Sequence, residues 1–395
     1  MSEKILINLL SEQALPNYIA IRELKPDRVL ALATPEFKPQ VELLQNETGV
    51  QHTAINADAY DFRKNFDALA QSLGRLPADA DVIVNFTGGT KVMSLSAGFS
   101  ALAHARKGQT ALVYIDSLKG VLEWLPFAVS GQLQPPEQRG IATAIPFVVY
   151  ANLKNERIAS MQEQLKEGEE RMSLYKALAG HGLDALFKKE KQVQLQDATR
   201  KFKAEGEIQF SSTGRLKWDR NGADLAAPSG PRLRYVGNGA AEFFGGRWLE
   251  EYAFHLLAQS GSFDQVLGNV VLSLRPETIE KLRSNRQGMT DKNEIDVVVC
   301  KGLRAVLIEC KAGHVTQDHI YKLDTLRKYL LGPFGVSLLL SRHELDPGVQ
   351  EKARDLGIEI LVGELDINDL VGRVRALIGE KLSASDLAGL RNFFG

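Results

Sequence analysis

Two apolar strands that carry charged side chains constrain this chain more than any other feature of its sequence. The stretch NEIDVVVCKGLRAVLIECKAG, residues 293–313, predicts a pair of strands joined by a tight turn at Lys301 and Gly302. The charged residues within these strands are Glu294, Asp296, Glu309 and Lys311. Because an unpaired buried carboxylate costs several kcal/mol, the fold must supply a partner for this charge.

The turn predicts how the two strands pair. A two-residue connection pairs Cys300 with Leu303. Counting back from that pair, Asp296 faces Leu307. Asp296 and Glu309 then lie diagonally on one face of the sheet, about 7–8 Å apart at the backbone.

The chemistry of this face suits a metal ion. Because strand side chains alternate, Glu309 and Lys311 share a face and Cys310 lies on the other. Two converging carboxylates with a lysine beside them suit a hard divalent cation and a positioned water. The alternative interpretation is a surface-facing sheet whose charges are solvated.

The composition indicates an ordinary folded protein of more than one domain. The chain has 395 residues, of which 44% are apolar and 25% charged. It has no run of about 18 apolar residues and no signal-peptide pattern at its start, so we expect a cytoplasmic protein. The two cysteines predict no disulfide framework, and the net charge of −1 restricts any nucleic-acid contact to local patches.

Strand and helix patterns alternate at the start of the chain. Helical patterns at 61–74 and 90–108 lie between apolar strand patterns. The predicted strands are residues 4–10, 28–34, 51–56, 81–86 and 110–116. Such alternation predicts an α/β fold whose parallel sheet is covered by helices, with a Rossmann-like layout and a ligand site at the carboxyl ends of its strands.

Changes of composition divide the chain at 149/150 and 235/236. Residues 150–235 read as helices followed by a short hairpin at 207–220, an arrangement similar to a small winged-helix domain. Residues 171–234 hold 13 Lys and Arg against 7 Asp and Glu, which fits either nucleic-acid contact or a linker with solvated charge. Residues 236–395 mix strands and helices and predict a second α/β domain.

A glycine turn follows one of the predicted N-terminal strands. In DVIVNFTGGTKVMSLS, Gly88 and Gly89 allow a sharp turn, and Thr90 can cap the following helix. Free N–H groups at the start of a helix, beside Thr87 and Lys91, form an anion site. Neither a Walker A loop nor G-x-G-x-x-G is present, so we expect a phosphate or another anion rather than a nucleoside triphosphate.

These motifs resemble two known families. NFTGGTKVMS is similar to the signature of CARF domains, the cyclic oligoadenylate sensors of type III CRISPR systems, and SEQALPN at 11–17 resembles their other ligand loop. The IECKAG strand resembles PD-(D/E)xK restriction-endonuclease-like nucleases. Together they resemble CRISPR ancillary nucleases, with a CARF sensor at 1–149, a linker domain at 150–235 and a nuclease at 236–395.

The resemblance implies partners and site residues. It implies a homodimer that binds a cyclic oligoadenylate, most simply the two-fold-symmetric cyclic tetra-adenylate, across its interface. The implied ligand residues are Ser11, Gln13, Asn17, Thr87, Gly88, Gly89, Thr90, Lys91 and Met93. The implied catalytic core is Asp296, Glu309 and Lys311, with Mg²⁺ or Mn²⁺ held by Asp296, Glu309 and the Cys310 carbonyl.

A third carboxylate is expected on the helix that starts near Gly246. An apolar stripe along this helix leaves Glu250 at its edge and turns Glu251 toward solvent. Related nucleases place a Glu of their first helix near the metal, and the resemblance assigns this role to Glu250. The alternative is a boundary glutamate that forms a salt bridge.

Three functions remain open at this level. The first is a ligand-activated, metal-dependent nuclease that cleaves DNA or RNA in antiviral defence. The second is a ligand-gated DNA-binding regulator with an inactive nuclease domain. The third is a ring nuclease, in which the sensor degrades its own activator. We also expect residues 275–293 to form a flap over the nuclease cleft, and Gln317 and Lys322 to contact the substrate strand.

Overall fold

The computed structural model of the chain describes residues 2–104, 109–117, 119–128, 130–164, 169–179, 186, 189–200, 205–227, 232–237, 239–274, 292–363 and 367–379. These residues form two compact units, Met1–Arg157 with Gly332–Phe334, and Ile158–Leu331 with Gly335–Gly395. Most of the predicted flap at 275–293 lies outside the described residues. In the described part of the chain, every helix is too short or too polar to cross a lipid bilayer.

The first unit is built on a seven-stranded sheet with the order β3-β2-β1-β4-β5-β6-β7. Its strands are β1 Lys4–Leu9, β2 Arg28–Ala33, β3 Gln51–Asn56, β4 Asp81–Asn85, β5 Thr110–Asp116, β6 Val121–Phe127 and β7 Glu137–Gly140. Its helices are α1 Leu15–Leu24, α2 Pro39–Thr48, α3 Phe62–Leu73, α4 Lys91–His104 and α5 Phe147–Leu153. Strands β1 to β5 are parallel, which confirms the predicted Rossmann-like layout.

The strand order creates the ligand edge of this sheet. From β1 the chain adds β2 and β3 on one side, and it then adds β4 and the later strands on the other side of β1. The order of strand addition therefore reverses between β1 and β4. Ligands of such sheets bind at this switch point, beyond the carboxyl ends of the strands. An apolar core of β1, β2, β4, α3 and α4 side chains supports that edge from one face of the sheet.

The second unit contains a six-stranded mixed sheet and a four-stranded antiparallel sheet, with the orders β17-β16-β15-β14-β13-β8 and β12-β11-β10-β9. The strands are β8 Glu156–Gln162, β9 Gly206–Gln209, β10 Arg215–Asp219, β11 Gly222–Ala226, β12 Arg232–Val236, β13 Gln265–Leu274, β14 Lys292–Lys301, β15 Arg304–Lys311, β16 Gly335–Ser341 and β17 Ile358–Val362. The helices are α6 Glu169–Ala179, α7 Lys189–Arg200, α8 Ala240–Glu242, α9 Trp248–Gln259, α10 Gln317–Leu330, α11 Pro347–Asp355 and α12 Ile367–Leu377.

One apolar core joins the predicted middle region to the nuclease region. Buried side chains of α6, α7 and the four-stranded sheet belong to the same cluster as those of α9 and the six-stranded sheet. The predicted hairpin is present as β9 and β10, and β11 and β12 extend it to four strands. The middle region therefore shares its core with the nuclease fold.

The pairing of β14 with β15 differs from the predicted register by two residues. Lys301 pairs with Arg304, and Cys300 pairs with Ala305 rather than with Leu303. The turn is formed by Gly302 and Leu303, because Gly302 adopts a left-handed φ of 55° and its N–H donates to Asp264 Oδ2 at 2.7 Å. Continued along the strands, this register brings Asp296 opposite Glu309 rather than diagonal to it.

Candidate functional site

The glycine turn, residues 87–90, connects β4 to α4 at the switch point of the first sheet. A Cβ atom on Gly88 would lie 2.5 Å from the Leu9 carbonyl oxygen, and one on Gly89 would lie 2.9 Å from the Leu9 Cβ. Gly89 also has a left-handed φ of 74°. Only glycine permits this close approach of the turn to the end of β1.

Three buried asparagines hold the turn and the first ligand loop together. Asn8, Asn17 and Asn85 are each 0% exposed. The Asn85 side-chain amide donates to Asn8 Oδ1 at 3.1 Å and to Asn17 Oδ1 at 3.0 Å. The Asn17 amide donates to the Leu9 carbonyl at 3.1 Å. This asparagine cluster joins the ends of β1 and β4 to the start of α1.

The two threonines of the turn use their hydroxyls internally. Thr87 Oγ1 donates to Asn85 Oδ1 at 2.7 Å and accepts from the Ile115 N–H at 2.8 Å. Thr90 Oγ1 donates to the Ala59 carbonyl at 2.6 Å. It also accepts from the N–H of Met93 at 3.2 Å, as expected of a helix cap. These hydroxyls shape the turn.

The polar groups of the turn that these hydrogen bonds leave unused are backbone N–H groups and one charge. Among the described residues, the N–H groups of Gly88 and Gly89 have no hydrogen-bond partner. Lys91 is exposed at the first position of α4, and Ser11 lies half-buried with its Oγ 3.4 Å from the position of a Cβ on Gly88. Gln13 is half-buried on the same loop as Ser11.

Two predicted ligand residues lie in the core instead. Asn17 belongs to the asparagine cluster, and Met93 is 1% exposed within the apolar core beneath the turn. In this structure their side chains support the turn from below, and their assignment as ligand contacts stays a prediction. The sequence does contain an indication of the buried asparagine cluster. Asn8 and Asn85 each interrupt an otherwise apolar strand, and the two residues pair with each other in the sheet.

In the second unit, α9 begins after a π-helical turn at Phe243–Arg247, in which Gly246 has a φ of 151°. The helix packs against α6, α12 and strands β13 to β15, so it is buried on more than one side. Glu250 lines a pocket in this unit. Glu251 is 5% exposed, so the prediction that it is solvated is wrong. The prediction assumed that only one face of the helix is buried, and this assumption fails for a helix that has neighbours on several sides.

Glu251 forms a buried ion pair with the middle region. Its Oε2 lies 2.9 Å from Arg171 Nη2 and accepts from Tyr175 Oη at 2.8 Å. Arg247 Nε is 3.7 Å from Glu251 Oε1. The guanidinium of Arg171 also lies over the ring of Tyr235, 4.4 Å from its centre. Both acceptor oxygens of Glu251 are thus directed at cations away from the pocket.

Asp296, Glu309 and Lys311 come together where β14 and β15 pair. Asp296 is 7% exposed and Glu309 is 3% exposed. Lys311 Nζ lies 2.5 Å from Glu309 Oε1 and 3.8 Å from Asp296 Oδ2. Asp296 Oδ2 also accepts from the Cys310 N–H at 2.7 Å, and the Cys310 carbonyl accepts from Lys311 Nζ at 3.3 Å. One ammonium therefore bridges the two carboxylates that the sequence predicted.

The crowding of negative charge perturbs these groups. Burial, together with the charge of Asp296, raises the pKa of Glu250 to about 8. Burial and the charge of Glu309 raise the pKa of Asp296 to about 7. Burial lowers the pKa of Lys311, but the charges of Asp296 and Glu309 outweigh it and raise the pKa above its ordinary value. Lys311 is therefore a permanent cation and a hydrogen-bond donor.

The donor chemistry of this cluster fits a hard divalent cation. Carboxylate oxygens of Asp296, Glu309 and Glu250 and the carbonyl oxygen of Cys310 are the ligand types that Mg²⁺ and Mn²⁺ prefer. The raised pKa values of Glu250 and Asp296 mark an excess of negative charge that such a cation would offset. The described residues contain no group of three or more His, Cys, Asp and Glu side chains arranged to hold a metal.

A pocket of about 390 Å³, here called the nuclease pocket, opens beside this cluster. Its lining includes Gly246, Glu250, Cys310, Lys311, His314 and His319. Lys322 Nζ is 3.9 Å from Glu309 Oε2, and Gln317 is exposed at the start of α10. Sequence reasoning missed His319, whose spacing of three residues from Thr316 is a helix-capping signal.

Comparison with known proteins agrees with this division of sites. A protein-family model of the Card1 CARF domain matches residues 5–126, and a model of the Card1-like endonuclease domain matches residues 238–381. The chain belongs to the CARF-domain nucleases. The first family domain contains the glycine turn, and the second contains Glu250, Asp296, Glu309 and Lys311.

Solved structures share the fold of this CARF-domain nuclease. Can2 from Sulfobacillus thermosulfidooxidans in complex with cyclic tetra-adenylate matches with a TM-score of 0.69 at 18% identity, over 95% of this chain and 100% of that one. The protein VC1899 from Vibrio cholerae matches with a TM-score of 0.71 at 15% identity, over 95% of this chain and 98% of that one. A sequence comparison with curated proteins finds no match.

Proposed function

We propose that this CARF-domain nuclease is a metal-dependent endonuclease of type III CRISPR defence, switched on by cyclic tetra-adenylate, that cleaves DNA or RNA. The observation that carries the proposal is the cluster in which Lys311 bridges Asp296 and Glu309 beside a pocket lined by Glu250. Burial of these charges lowers the stability of the fold, and such clusters of perturbed charged groups are typical of functional sites.

The glycine turn supports the sensor half of the proposal. The N–H groups of Gly88 and Gly89 and the charge of Lys91 suit a phosphate of the activator. The Can2 structure of similar fold contains cyclic tetra-adenylate. Because this ligand has two-fold symmetry, it suits a homodimer in which both copies offer the same turn.

The endonuclease residues divide the work of phosphodiester hydrolysis. Asp296, Glu309, Glu250 and the Cys310 carbonyl would hold Mg²⁺ or Mn²⁺, which supplies Lewis-acid activation of phosphate and water. Lys311 donates a hydrogen bond to the attacking water or to a phosphate oxygen and offsets the negative charge that develops there. Water attacks phosphorus, the bond to the leaving oxygen breaks, and a proton passes to that oxygen.

The engaged hydroxyls of the turn argue against a ring nuclease. Thr87 and Thr90 donate within the protein, so neither is free to act on a bound activator. The complete set of Glu250, Asp296, Glu309 and Lys311 argues against an inactive nuclease domain, which has no need to keep four perturbing charges together.

A substrate panel tests the proposal. Labelled single-stranded DNA, single-stranded RNA and supercoiled plasmid are incubated with the protein, with and without cyclic tetra-adenylate, in Mn²⁺, in Mg²⁺ and in EDTA. We expect cleavage of at least one substrate that requires both activator and metal. Cleavage in EDTA would remove the metal from the mechanism, and cleavage without activator would remove the switch.

A further inference from the structure

His319 is a histidine of the nuclease pocket without a role in the mechanism above. It occupies the third position of α10 and is half-buried, and it lines the pocket together with Glu250 and Lys311. Its Nδ1 atom accepts a hydrogen bond from the Thr316 N–H at 3.0 Å. This bond is part of a capping box at the start of the helix.

The cap determines the tautomer of the ring. A backbone N–H can only donate, so Nδ1 must be the unprotonated nitrogen and the proton of the neutral ring must be on Nε2. Burial, followed by the charge of Lys311, lowers the pKa of His319, which favours this neutral form. Within the described residues, Nε2 has no hydrogen-bond partner in the protein.

His314, which also lines the pocket, is a different case. Its Nε2 lies 3.9 Å from Asp346 Oδ2, and the residue is exposed. Its orientation is not set by a backbone bond of the kind that fixes His319. Of the two histidines, only His319 presents an oriented donor held by the helix itself.

We propose that His319 is a substrate-contacting residue whose Nε2–H donates to a non-bridging oxygen of the phosphate in the nuclease pocket. The inference rests on the proposed nuclease function and adds a neutral donor to the cationic one of Lys311. A bond from this donor to a charged phosphate oxygen contributes about ten- to a hundredfold in kcat/KM.

Two amide substitutions separate the donor from the cap. In His319→Asn, the amide oxygen can replace Nδ1 and keep the bond from Thr316, but no group reaches the Nε2 position. In His319→Gln, the amide nitrogen can replace Nε2 and keep the donor, and a glutamine three residues after the N-cap also forms a capping box, so both functions are kept. The two variants are therefore matched controls for each other, and His319→Ala removes both functions.

The variants are compared by cleavage of single-stranded DNA with cyclic tetra-adenylate and Mn²⁺, by thermal unfolding, and by fluorescence anisotropy of the same DNA in Ca²⁺. We expect His319→Asn to keep the wild-type Tm and lose about ten- to a hundredfold in kcat/KM. His319→Gln should keep the wild-type Tm and most of its cleavage, because it retains both a donor and a capping side chain.

Two results would overturn the inference. The first is a His319→Asn variant that cleaves and binds DNA like the wild type. The second is a loss of cleavage that does not depend on the donor, with His319→Gln as strongly affected as His319→Asn or more so. If the wild type cleaves no nucleic acid, the proposed function fails on its own, and the DNA affinities of the two variants in Ca²⁺ still decide whether His319 contacts the strand.

Discussion

Glu250 and Glu251 are consecutive residues of α9 with opposite surroundings. Glu250 lines the nuclease pocket, whereas Glu251 is turned away from it into a buried ion pair with Arg171 at 2.9 Å. The helix thus places one carboxylate at the pocket and uses the other to attach itself to α6. The second interaction holds the backbone from which the first carboxylate projects.

Substitution of the two glutamates should have different effects on cleavage and on stability. Glu250→Gln should lower cleavage without lowering Tm, because the substitution removes charge from a crowded site. Glu251→Gln should cost about 3–5 kcal/mol of unfolding free energy, because it leaves Arg171 without its buried partner. Thermal unfolding and cleavage are measured for both variants.

A double-mutant cycle identifies the cause of the Glu251 effect. If the ion pair is responsible, Glu251→Gln combined with Arg171→Met should be less destabilised than the sum of the single variants. Equal effects of Glu250→Gln and Glu251→Gln on Tm and cleavage would contradict the division of roles on α9.

The raised pKa values of Glu250 and Asp296 predict a pH dependence of stability in EDTA. The pKa of Glu250 is raised from 4.5 to about 8, and that of Asp296 from 3.8 to about 7. Between the ordinary and the raised values, the folded protein binds more protons than the unfolded chain, so stability falls as the pH rises. The Tm in EDTA should therefore decrease from about pH 5 to about pH 8.

Metal and substitution provide the controls for that pH profile. Mn²⁺ should reverse most of the decrease by binding the ionised carboxylates, and Glu250→Gln should flatten the profile in EDTA. A Tm in EDTA that rises over this pH range would show that the carboxylates are not crowded in the folded protein.

Lys91 should determine the affinity for the activator. Lys91→Ala should weaken cyclic tetra-adenylate binding by about 1–3 kcal/mol, the cost of a lost hydrogen bond to a charged group. The concentration of activator needed for cleavage should increase, while the rate at saturation stays close to that of the wild type. Calorimetry measures the first quantity and cleavage titration the second.

Arg75→Ala is the matched control for Lys91→Ala. Arg75 is also an exposed cation of the first unit, but it precedes β4 and lies at the opposite edge of the sheet from the glycine turn. The Arg75→Ala substitution should leave activator binding unchanged. If Lys91→Ala instead lowers the saturated rate at unchanged affinity, the residue acts in signalling rather than in binding.

The parallel part of the first unit could be predicted from the sequence, whereas the antiparallel strands β6 and β7 could not. The predicted strands at 4–10, 28–34, 51–56, 81–86 and 110–116 end within one residue of those observed. Apolar strands separated by helical patterns leave few alternatives to a parallel sheet. The ligand edge was less predictable, because burial of Met93 and the partners of Thr87 depend on contacts with distant segments.

The nuclease site was predictable in composition but not in register. The residue types D…ExK indicated which side chains meet, and Asp296, Glu309 and Lys311 do meet. The position of the turn depends on the left-handed Gly302 and on Asp264, which lies on a different segment. The burial of Glu251 likewise depends on Arg171, which no local pattern around α9 reveals.

The most direct test of the account compares wild type with Glu309→Gln for cleavage of labelled single-stranded DNA and RNA in Mn²⁺, with and without cyclic tetra-adenylate. We predict that the wild type cleaves only with the activator, and that Glu309→Gln loses at least about a hundredfold in rate while binding the activator unchanged. Undiminished cleavage by Glu309→Gln, or cleavage by the wild type that is independent of cyclic tetra-adenylate, would contradict the account.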